Sequence, residues 1–544
     1  MWGPTAIRSA RRGASAVAAL LLALSAGAAT LDRPLVDALA TAPEDHELPV
    51  IVVLAPPRTV AVSAAAVELG REGRRGLVRD LKRRAQESRD TLDAALAGQD
   101  ISNSTTLWAI NAVAMRARPS VVRRLATLPE VSAIRLDAAL RIPEETVGSV
   151  SSPEWNLSAV RAPALWASGH TGAGAVVASL DSGFDIRHPE LAGRWRGGAA
   201  DWFDPHGEHA TPFDRDGHGT QTIGLIVGGS NGGPATGVAP GATFIAAKIF
   251  NDSGTTTLSA IHRGFQWVLD PDGDPGTDDA ADVVNGSWGF DAFTDRCDPE
   301  FGPDIAVLRA AGIVVVFPAG NSGPSAYTSL SPANNPGALA VGAVDELDRV
   351  AGFSGRGPSA CAGIYPHVVA PGVNVRTTDL TFGGTFPDSY AYVTGTSFAA
   401  PQVAGALALL RDAFPAATPL QLEDALERGA ADLGEPRPNN DAGWGRIDVL
   451  GAYTVLAGLL GPPSCTDADV DGYFAEPGCG TLSDCNDGNP AVHPGACGLE
   501  GDGIDQDCDG RDDDATCHAP RVRRVLRRVA EAHGAAVGPA KVTP

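Results

Sequence analysis

Residues 395–405 read GTSFAAPQVAG and place one serine, Ser397, directly before a run of small and apolar residues. The run from 399 to 410 predicts a buried helix, because alanine and glycine side chains allow close packing. Backbone N–H groups at the start of a helix have no partner inside the helix and favour negative charge. Ser397 is therefore a candidate nucleophile, and an ordinary helix-capping serine is the alternative.

Two earlier motifs carry an aspartate and a histidine among apolar or small residues. Residues 176–183 (VVASLDSG) form an apolar run that ends at Asp181 and a turn. Residues 216–220 (DGHGT) surround His218 with small residues, which leaves room for an imidazole to approach two partners. Both side chains have the chemistry needed to activate a serine.

The three motifs, in the order aspartate, histidine, serine, closely resemble those of the subtilisin-like serine proteases. The resemblance covers residues 155 to about 452. It implies that His218 takes the proton of Ser397, and that Asp181 fixes the imidazole tautomer and stabilises the imidazolium.

A fourth motif contains the residue that the same resemblance assigns to the oxyanion. Residues 317–324 (FPAGNSGP) place Asn321 after an apolar run, and Asn321 matches the oxyanion asparagine of the family. The backbone N–H of Ser397 would be the second donor. An asparagine in an ordinary turn is the alternative.

Substrate contacts are expected from backbone beside the site, because a protease holds its peptide extended. Residues 282–289 (DVVNGSWG) resemble the corresponding segment of the bacillopeptidase F-like members of the family. Ser287, Trp288 and Gly289 are the candidate substrate-binding residues, and a buried core aromatic is the alternative for Trp288.

The fold class predicted for the catalytic region, residues 146–460, is α/β. Strands and helices alternate, which indicates a parallel sheet with helices on both faces, as in subtilisin. Strands are expected at 176–180, 243–249, 283–284, 313–317, 338–344 and 368–370. Apolar residues at helical spacing predict a helix over 258–269. Asp181 and Asn321 both follow apolar strands, at the edge where open α/β sheets collect their chemistry.

The N-terminal part divides into two predicted segments. Residues 1–30 combine arginines, a short apolar run and small residues, which is typical of a secretory signal peptide. Residues 31–145 show a mixed α+β pattern that resembles the subtilisin-type propeptide, an intramolecular inhibitor; a separate accessory domain is the alternative. Strands are expected at 48–54, 110–115 and 131–136, with helices at 60–97 and 119–128. Cleavage is expected between 141 and 154.

Composition excludes some partners and favours export. The net charge of −23 argues against nucleic acid, and no segment is long and apolar enough to predict a transmembrane span. Six of the eight cysteines lie between 465 and 517, whereas Cys297 and Cys361 lie in the catalytic region, where they could form a separate bridge. The pattern predicts a secreted or cell-surface protein with disulfides.

Residues 461–517 form a small acidic, disulfide-rich module, followed by a basic tail at 518–544. The module resembles the aspartate-rich, cysteine-containing metal-binding repeats of exported bacterial proteins. Carboxylate oxygens favour calcium, as a structural ion that the chemistry does not require. An acidic spacer without metal is the alternative. The candidate ligands are Asp467, Asp469, Asp471, Asp502, Asp505, Asp507 and Asp509.

A second acidic segment lies inside the catalytic region. Residues 270–279 read DPDGDPGTDD and follow the predicted helix at 258–269. Clustered carboxylates of this kind could hold a calcium ion, and a solvated surface loop is the alternative.

The combined prediction is a secreted serine endopeptidase that acts on protein or peptide substrates through an acyl-enzyme on Ser397. A catalytically silent homologue that binds peptides or surfaces is the alternative. The chain departs from the family pattern at Gln221, Phe398 and Gln402, where histidine or methionine is usual. None of these residues replaces a catalytic atom, but the two glutamines remove titratable groups and affect local packing.

Overall fold

The computed structural model describes residues 29–55, 70–99, 101–142, 146–147, 154–231, 234–290, 294–382, 389–434 and 436–461, with scattered positions between 473 and 508. These residues form an N-terminal unit, within 29–142, and a main domain, within 154–461. In the part of the chain so described, no helix is both long and apolar enough to cross a membrane.

The N-terminal unit is a five-stranded sheet covered by helices, in the strand order β1-β5-β2-β4-β3. Strand β1 pairs with β5 in parallel, and the other pairs are antiparallel. Its elements are β1 (Thr30–Leu31), α1 (Arg33–Thr41), β2 (Leu48–Leu54), α2 (Gly70–Ala95), β3 (Ile101–Leu107), β4 (Ala112–Ala117), α3 (Pro119–Leu125), β5 (Val131–Leu136) and β6 (Ala139–Arg141).

The N-terminal unit follows the predicted α+β pattern, with shifted boundaries. Strand β4 begins two residues later than expected, because a 3-10 turn at Trp108–Ile110 and the left-handed Asn111 precede it. Ala29 is buried and Thr30 begins β1, so the folded unit includes the last two residues of the expected signal segment. Residues 60–69 of the helix expected over 60–97 lie outside the described residues.

The main domain alternates strands and helices. Its elements, with the linker strand β7, are β7 (Thr146–Val147), α4 (Trp155–Ala159), α5 (Ala162–Trp166), β8 (Val176–Asp181), α6 (Pro189–Ala192), β9 (Trp202–Phe203), α7 (His218–Val227), β10 (Thr243–Lys248), β11 (Thr255–Thr257), α8 (Leu258–Leu269), β12 (Val283–Asn285), α9 (Gly302–Ala310), β13 (Val314–Pro318), β14 (Ala338–Val344), β15 (Val368–Pro371), β16 (Val375–Thr378), β17 (Tyr390–Thr394), α10 (Ala400–Ala413), α11 (Pro419–Gly429) and α12 (Val449–Leu460).

A seven-stranded parallel sheet forms the centre of the main domain, in the order β15-β14-β13-β12-β8-β10-β9. Helices cover both faces, as the sequence predicts. Alternate residues of a strand face opposite sides. In β13, Val314 and Val316 pack in the cluster that contains α7 and α10, whereas Val315 and Phe317 pack with α8 and α9.

The N-terminal unit packs on the α8 and α9 side of this sheet. Ile51, Val78 and Leu107 share one buried cluster with Phe265 and Ile305. Strand β6 leaves the N-terminal unit and pairs antiparallel with β11 of the main domain. Linker strand β7 then pairs antiparallel with β17. The two parts of the chain are thus joined by apolar packing and by backbone hydrogen bonds.

Disulfides occur in both cysteine-containing regions. Cys297 and Cys361, left open by the sequence, are bonded in the main domain. Cys485 and Cys508 are bonded within the acidic module, most of which lies outside the described residues. The seven aspartates expected to bind metal in that module also lie outside them.

Candidate active site

Asp181 is the last residue of β8, near the middle of the parallel sheet, and its carboxylate meets His218. The distance from Asp181 Oδ1 to His218 Nδ1 is 2.7 Å, and both side chains are 1% exposed. The same oxygen accepts the backbone N–H of Ser182 at 2.7 Å, and Thr222 donates to the other oxygen at 3.5 Å. Because burial strengthens electrostatic interactions, this contact holds the imidazole in one orientation.

His218 begins α7, and the preceding loop fixes that helix start. Gly217 has a φ of +108°, a conformation that residues with a side chain rarely adopt. Asp214 is buried and accepts four hydrogen bonds: from the N–H groups of Asp216, Gly217 and Thr220, and from the Thr220 hydroxyl. Asp214 is not among the site residues predicted from the sequence. Its position just before the DGHGT motif could have indicated a role, but its burial comes from tertiary packing, which the sequence does not show.

Ser397 lies in a 3-10 turn, Thr396–Phe398, between β17 and α10. The expected buried helix begins at Ala400, after this turn, and all of its side chains are buried. The turn packs against α7, and the rings of His218 and Phe398 lie 5.7 Å apart. Ser397 Oγ donates to the backbone oxygen of Ser287 at 3.3 Å. The fold therefore gathers Asp181, His218 and Ser397 at one place.

Asn321 follows β13 and is tied to the turn that carries Ser397. Its Oδ1 accepts the N–H of Thr396 at 3.0 Å and the Thr396 hydroxyl at 2.8 Å. These two bonds fix the amide orientation, so that the Nδ2 donor points away from Thr396. Asn321 is itself exposed. The arrangement can offer an N–H group to an oxyanion next to Ser397.

The expected substrate-binding residues follow β12, and their side chains face the interior. Trp288 is 1% exposed, donates its indole N–H to Leu180 O at 3.0 Å, and packs against Phe301 and Phe317. The Ser287 hydroxyl donates to Ser397 O at 2.8 Å. The side chains of Ser287 and Trp288 are therefore not exposed to a peptide, and any contact at these residues would come from their backbone.

The two glutamines that depart from the family pattern make local hydrogen bonds. Gln402 accepts from Asn156 at 3.2 Å and donates to Phe398 O at 3.1 Å and to Pro371 O. Gln221 donates to Asp379 at 3.4 Å. Gln402 thus ties the Ser397 turn to the neighbouring strand end without a titratable group.

Burial raises the pKa of the Asp216 carboxyl, two positions before the candidate base, whereas the charge of His218 acts in the opposite direction.

Two groups of side chains in the described residues have a spacing compatible with a metal ion. One contains Glu208, His209 and Asp252, and the other contains Asp270, Asp272 and Asp279. In each group the donor atoms lie within 4.8 Å of one another. The second group lies in the acidic segment at 270–279.

Two parts of the chain match the models of known protein families. Residues 172–445, about half of the chain, match the model of the subtilase family. Residues 484–514 match a second family, named Cu-binding_MopE and described as a "Putative metal-binding motif". Of the aspartates expected to bind metal, those at 502–509 lie in this match and those at 467–471 precede it.

Similar proteins include several bacterial proteases. Bacillopeptidase F of Bacillus subtilis (strain 168) is 32% identical in an alignment of 455 residues that covers 76% of this chain and 31% of that protein. Subtilisin E of the same organism is 36% identical over 328 residues, or 60% of this chain and 77% of that protein. Alkaline protease of Shouchella clausii is 37% identical over 311 residues, with 56% of this chain and 72% of that protein covered. The chain thus spans under a third of bacillopeptidase F and most of the shorter proteases, and with the family match this shows that it belongs to the subtilase family.

Proposed function

We propose that this chain is the precursor of a secreted serine endopeptidase that hydrolyses peptide bonds in proteins. The observation that supports it best is the buried 2.7 Å contact between His218 Nδ1 and Asp181, on a helix start packed against the Ser397 turn. This arrangement leaves His218 Nε2 as the ring nitrogen that can serve the serine.

In the proposed reaction, Ser397 Oγ attacks the scissile carbonyl carbon while His218 Nε2 takes the hydroxyl proton. The electron pair of the C=O double bond moves to oxygen, where Asn321 Nδ2 and the Ser397 N–H stabilise it. The C–N bond then breaks, and the leaving amine takes the proton from His218. Water then attacks the carbonyl carbon of the acyl-enzyme through the same steps, which releases the carboxylic acid and restores Ser397. The hydroxyl must first leave Ser287 O, a common change between free and substrate-bound sites.

We further propose that the N-terminal unit is an inhibitory propeptide. Strand β6 pairs with β11, and Ile142 N donates to Gly254 O at 2.9 Å, in the loop after the strand that pairs with β8. Strand β7 then pairs with residues 393–394, just before Ser397. Since the described backbone on both sides of 143–145 is bound beside the site, first cleavage is proposed between residues 142 and 146.

Side-chain contacts support the same role for the N-terminal unit. Arg135 pairs with Glu300 at 2.7 Å, and Asp137 accepts the N–H and the hydroxyl of Ser259 at 2.9 and 2.6 Å. Arg135→Ala should hasten the appearance of casein hydrolysis after processing, because the released unit binds more weakly. Arg33→Ala, which breaks an exposed pair within the unit, is the control. Equal lag times for the two variants would contradict the inhibitory contact.

Secretion and a structural metal complete the proposal. The bonded pair Cys297 and Cys361 suits an oxidising compartment, in agreement with the expected signal segment. We propose that the acidic module holds a structural divalent metal. Its carboxylates favour calcium, whereas the matched family is named for copper. Removal of metal by a chelator, followed by reloading with Ca²⁺ or Cu²⁺ and measurement of metal bound per chain, distinguishes the two ions.

The central experiment compares the full precursor with Ser397→Ala and with Ser168→Ala, a control at a partly buried serine that follows α5. The parent and the control should shorten between residues 142 and 146, hydrolyse casein and react with a fluorophosphonate probe. The Ser397→Ala chain should do none of these. Identical behaviour of all three chains would remove Ser397 from the mechanism and favour the silent, peptide-binding homologue.

A further inference from the structure

The acidic segment after α8 gathers three carboxylates around one point. Asp270 caps the C-terminus of α8, and Asp272 and Asp279 lie beside it, with donor oxygens all within 4.8 Å of one another. The N–H of Asp272 donates to Asp279 at 2.8 Å and holds the two ends of the segment together. Three like charges this close repel one another unless a cation lies among them.

Asp270 is the buried member of this group. The residue is 6% exposed, and no backbone N–H group or hydroxyl of the described residues donates to its carboxylate oxygens. A buried carboxylate without hydrogen bonds is costly unless a positive charge is in contact with it. The burial of Asp270 therefore favours a cation beside its carboxylate oxygens.

That cation comes from the N-terminal unit. Lys82, on α2, forms an ion pair with Asp270 Oδ2 and donates to Gly273 O at 2.8 Å. Its ammonium also lies 5.3 Å from the ring centre of Trp108, on the same unit. A carboxylate and a backbone carbonyl around one positive centre are ligands that a hard metal ion also takes. The lysine thus occupies a cation-binding position of the main domain.

We propose that Asp270, Asp272, Asp279 and the Gly273 carbonyl form a calcium site that the Lys82 ammonium fills in the precursor. This inference depends on the proposed function in one respect, the removal of the N-terminal unit during maturation. Its departure takes Lys82 away and leaves three carboxylates with no ammonium at their centre. Calcium fits this set because every donor is oxygen, whereas zinc favours nitrogen and sulfur. Calcium and the N-terminal unit then compete for one site, so calcium favours release of the unit and stabilises the mature domain.

The test uses the full chain with Ser397→Ala, so that it does not depend on catalysis. In this background, Lys82→Met removes the ammonium. Arg83→Met is the matched control, because it removes one positive charge from the adjacent residue, whose partners are Asp80 and Glu87. Calcium bound per chain is measured by equilibrium dialysis with CaCl₂, and the acidic module contributes equally to every variant.

We expect Lys82→Met to bind one more calcium ion per chain than the parent or Arg83→Met. Addition of Asp270→Asn to Lys82→Met should abolish that extra ion. A calcium-dependent rise in Tm of about 2 °C or more should accompany it in Lys82→Met alone. Circular dichroism checks folding, and Lys82→Gln, which can still donate to Gly273 O, replaces a Met variant that does not fold.

Equal calcium binding by Lys82→Met and Arg83→Met would overturn the proposal. Retention of the extra ion in the Lys82→Met, Asp270→Asn chain would also overturn it, since the ion would then lie elsewhere. Shortening of the Ser397→Ala chain on a gel would instead count against the proposed protease function, so the two failures are distinguishable.

Discussion

Replacement of Asp214 by alanine should damage catalysis more than its effect on stability explains. The Asp214 carboxylate accepts Asp216 N–H at 3.1 Å and Gly217 N–H at 3.0 Å on one oxygen. The other oxygen accepts the N–H and the hydroxyl of Thr220 at 2.9 and 2.7 Å. These four bonds fix the loop that ends at His218, so we predict that Asp214 acts by positioning His218.

The magnitude follows from these bonds. A net contribution of about 1 kcal/mol each sums to about 4 kcal/mol. Water that enters the vacated space replaces some of the lost hydrogen bonds, so we expect the free energy of unfolding to fall by about 3 kcal/mol. A shift of the imidazole by about 1 Å lowers kcat by roughly 10²-fold. KM should change little, because the substrate backbone contacts are elsewhere.

The assay measures kcat and KM on a peptide substrate beside the midpoint of thermal unfolding. Asp412→Ala is the matched control: Asp412 is as buried, accepts the N–H groups of Gly172 and Ala173 at 2.8 and 3.1 Å, and lies in the last turn of α10. It should lower stability by about 2 kcal/mol and change kcat less than about twofold. If Asp214→Ala and Asp412→Ala lose kcat to the same extent, Asp214 does not position His218.

Three further predictions concern other parts of the main domain. Asn321→Ala should lower kcat about 10²–10³-fold with little change in KM, as measured by steady-state kinetics; an unchanged kcat would exclude it from the oxyanion site. Burial lowers the pKa of His262, but Asp304 and Glu300 outweigh it and raise this pKa to about 9. Protonated His262 therefore stabilises the folded state fully below about pH 6.5, and this stabilisation is lost as pH rises through 9. Denaturant titrations from pH 7 to 9 should therefore show a decline of up to about 1.4 kcal/mol per pH unit, which His262→Gln removes. Serine at both Cys297 and Cys361 should lower the free energy of unfolding by about 4 kcal/mol, because the bond closes a segment of 64 positions. The unfolding midpoint of this variant should equal that of the reduced parent.

The sequence predicts the parts of the fold and site that depend on local patterns. The helix over 258–269 and the strand over 338–344 have the expected bounds. Apolar residues recur at helical spacing throughout the helix, and they form an unbroken run in the strand. Asp181 ends one parallel strand and Asn321 follows another, so both lie at the same edge of one sheet. The order of three short motifs was enough to indicate the site.

Features that depend on contacts between distant segments were not predictable. Asp214 resembles any polar loop carboxylate in the sequence, and its burial arises only when the loop folds back on α7. Trp288 turns into the core because Leu180 O accepts its indole N–H. The contact of Lys82 with Asp270 joins two separate folded units, and no local pattern relates a lysine on one to an aspartate on the other.

The pairing of β6 with β11 and of β7 with β17 has a kinetic consequence. In the proposed maturation each precursor would cut its own linker, because the described backbone on either side of 143–145 pairs with the main domain of the same chain. That first cut would be a first-order event, whose half-time does not change on dilution. Later cuts in other proteins are second-order and slow as the enzyme is diluted. Under this proposal a single polypeptide would start its own activation at any concentration, including that of an isolated molecule.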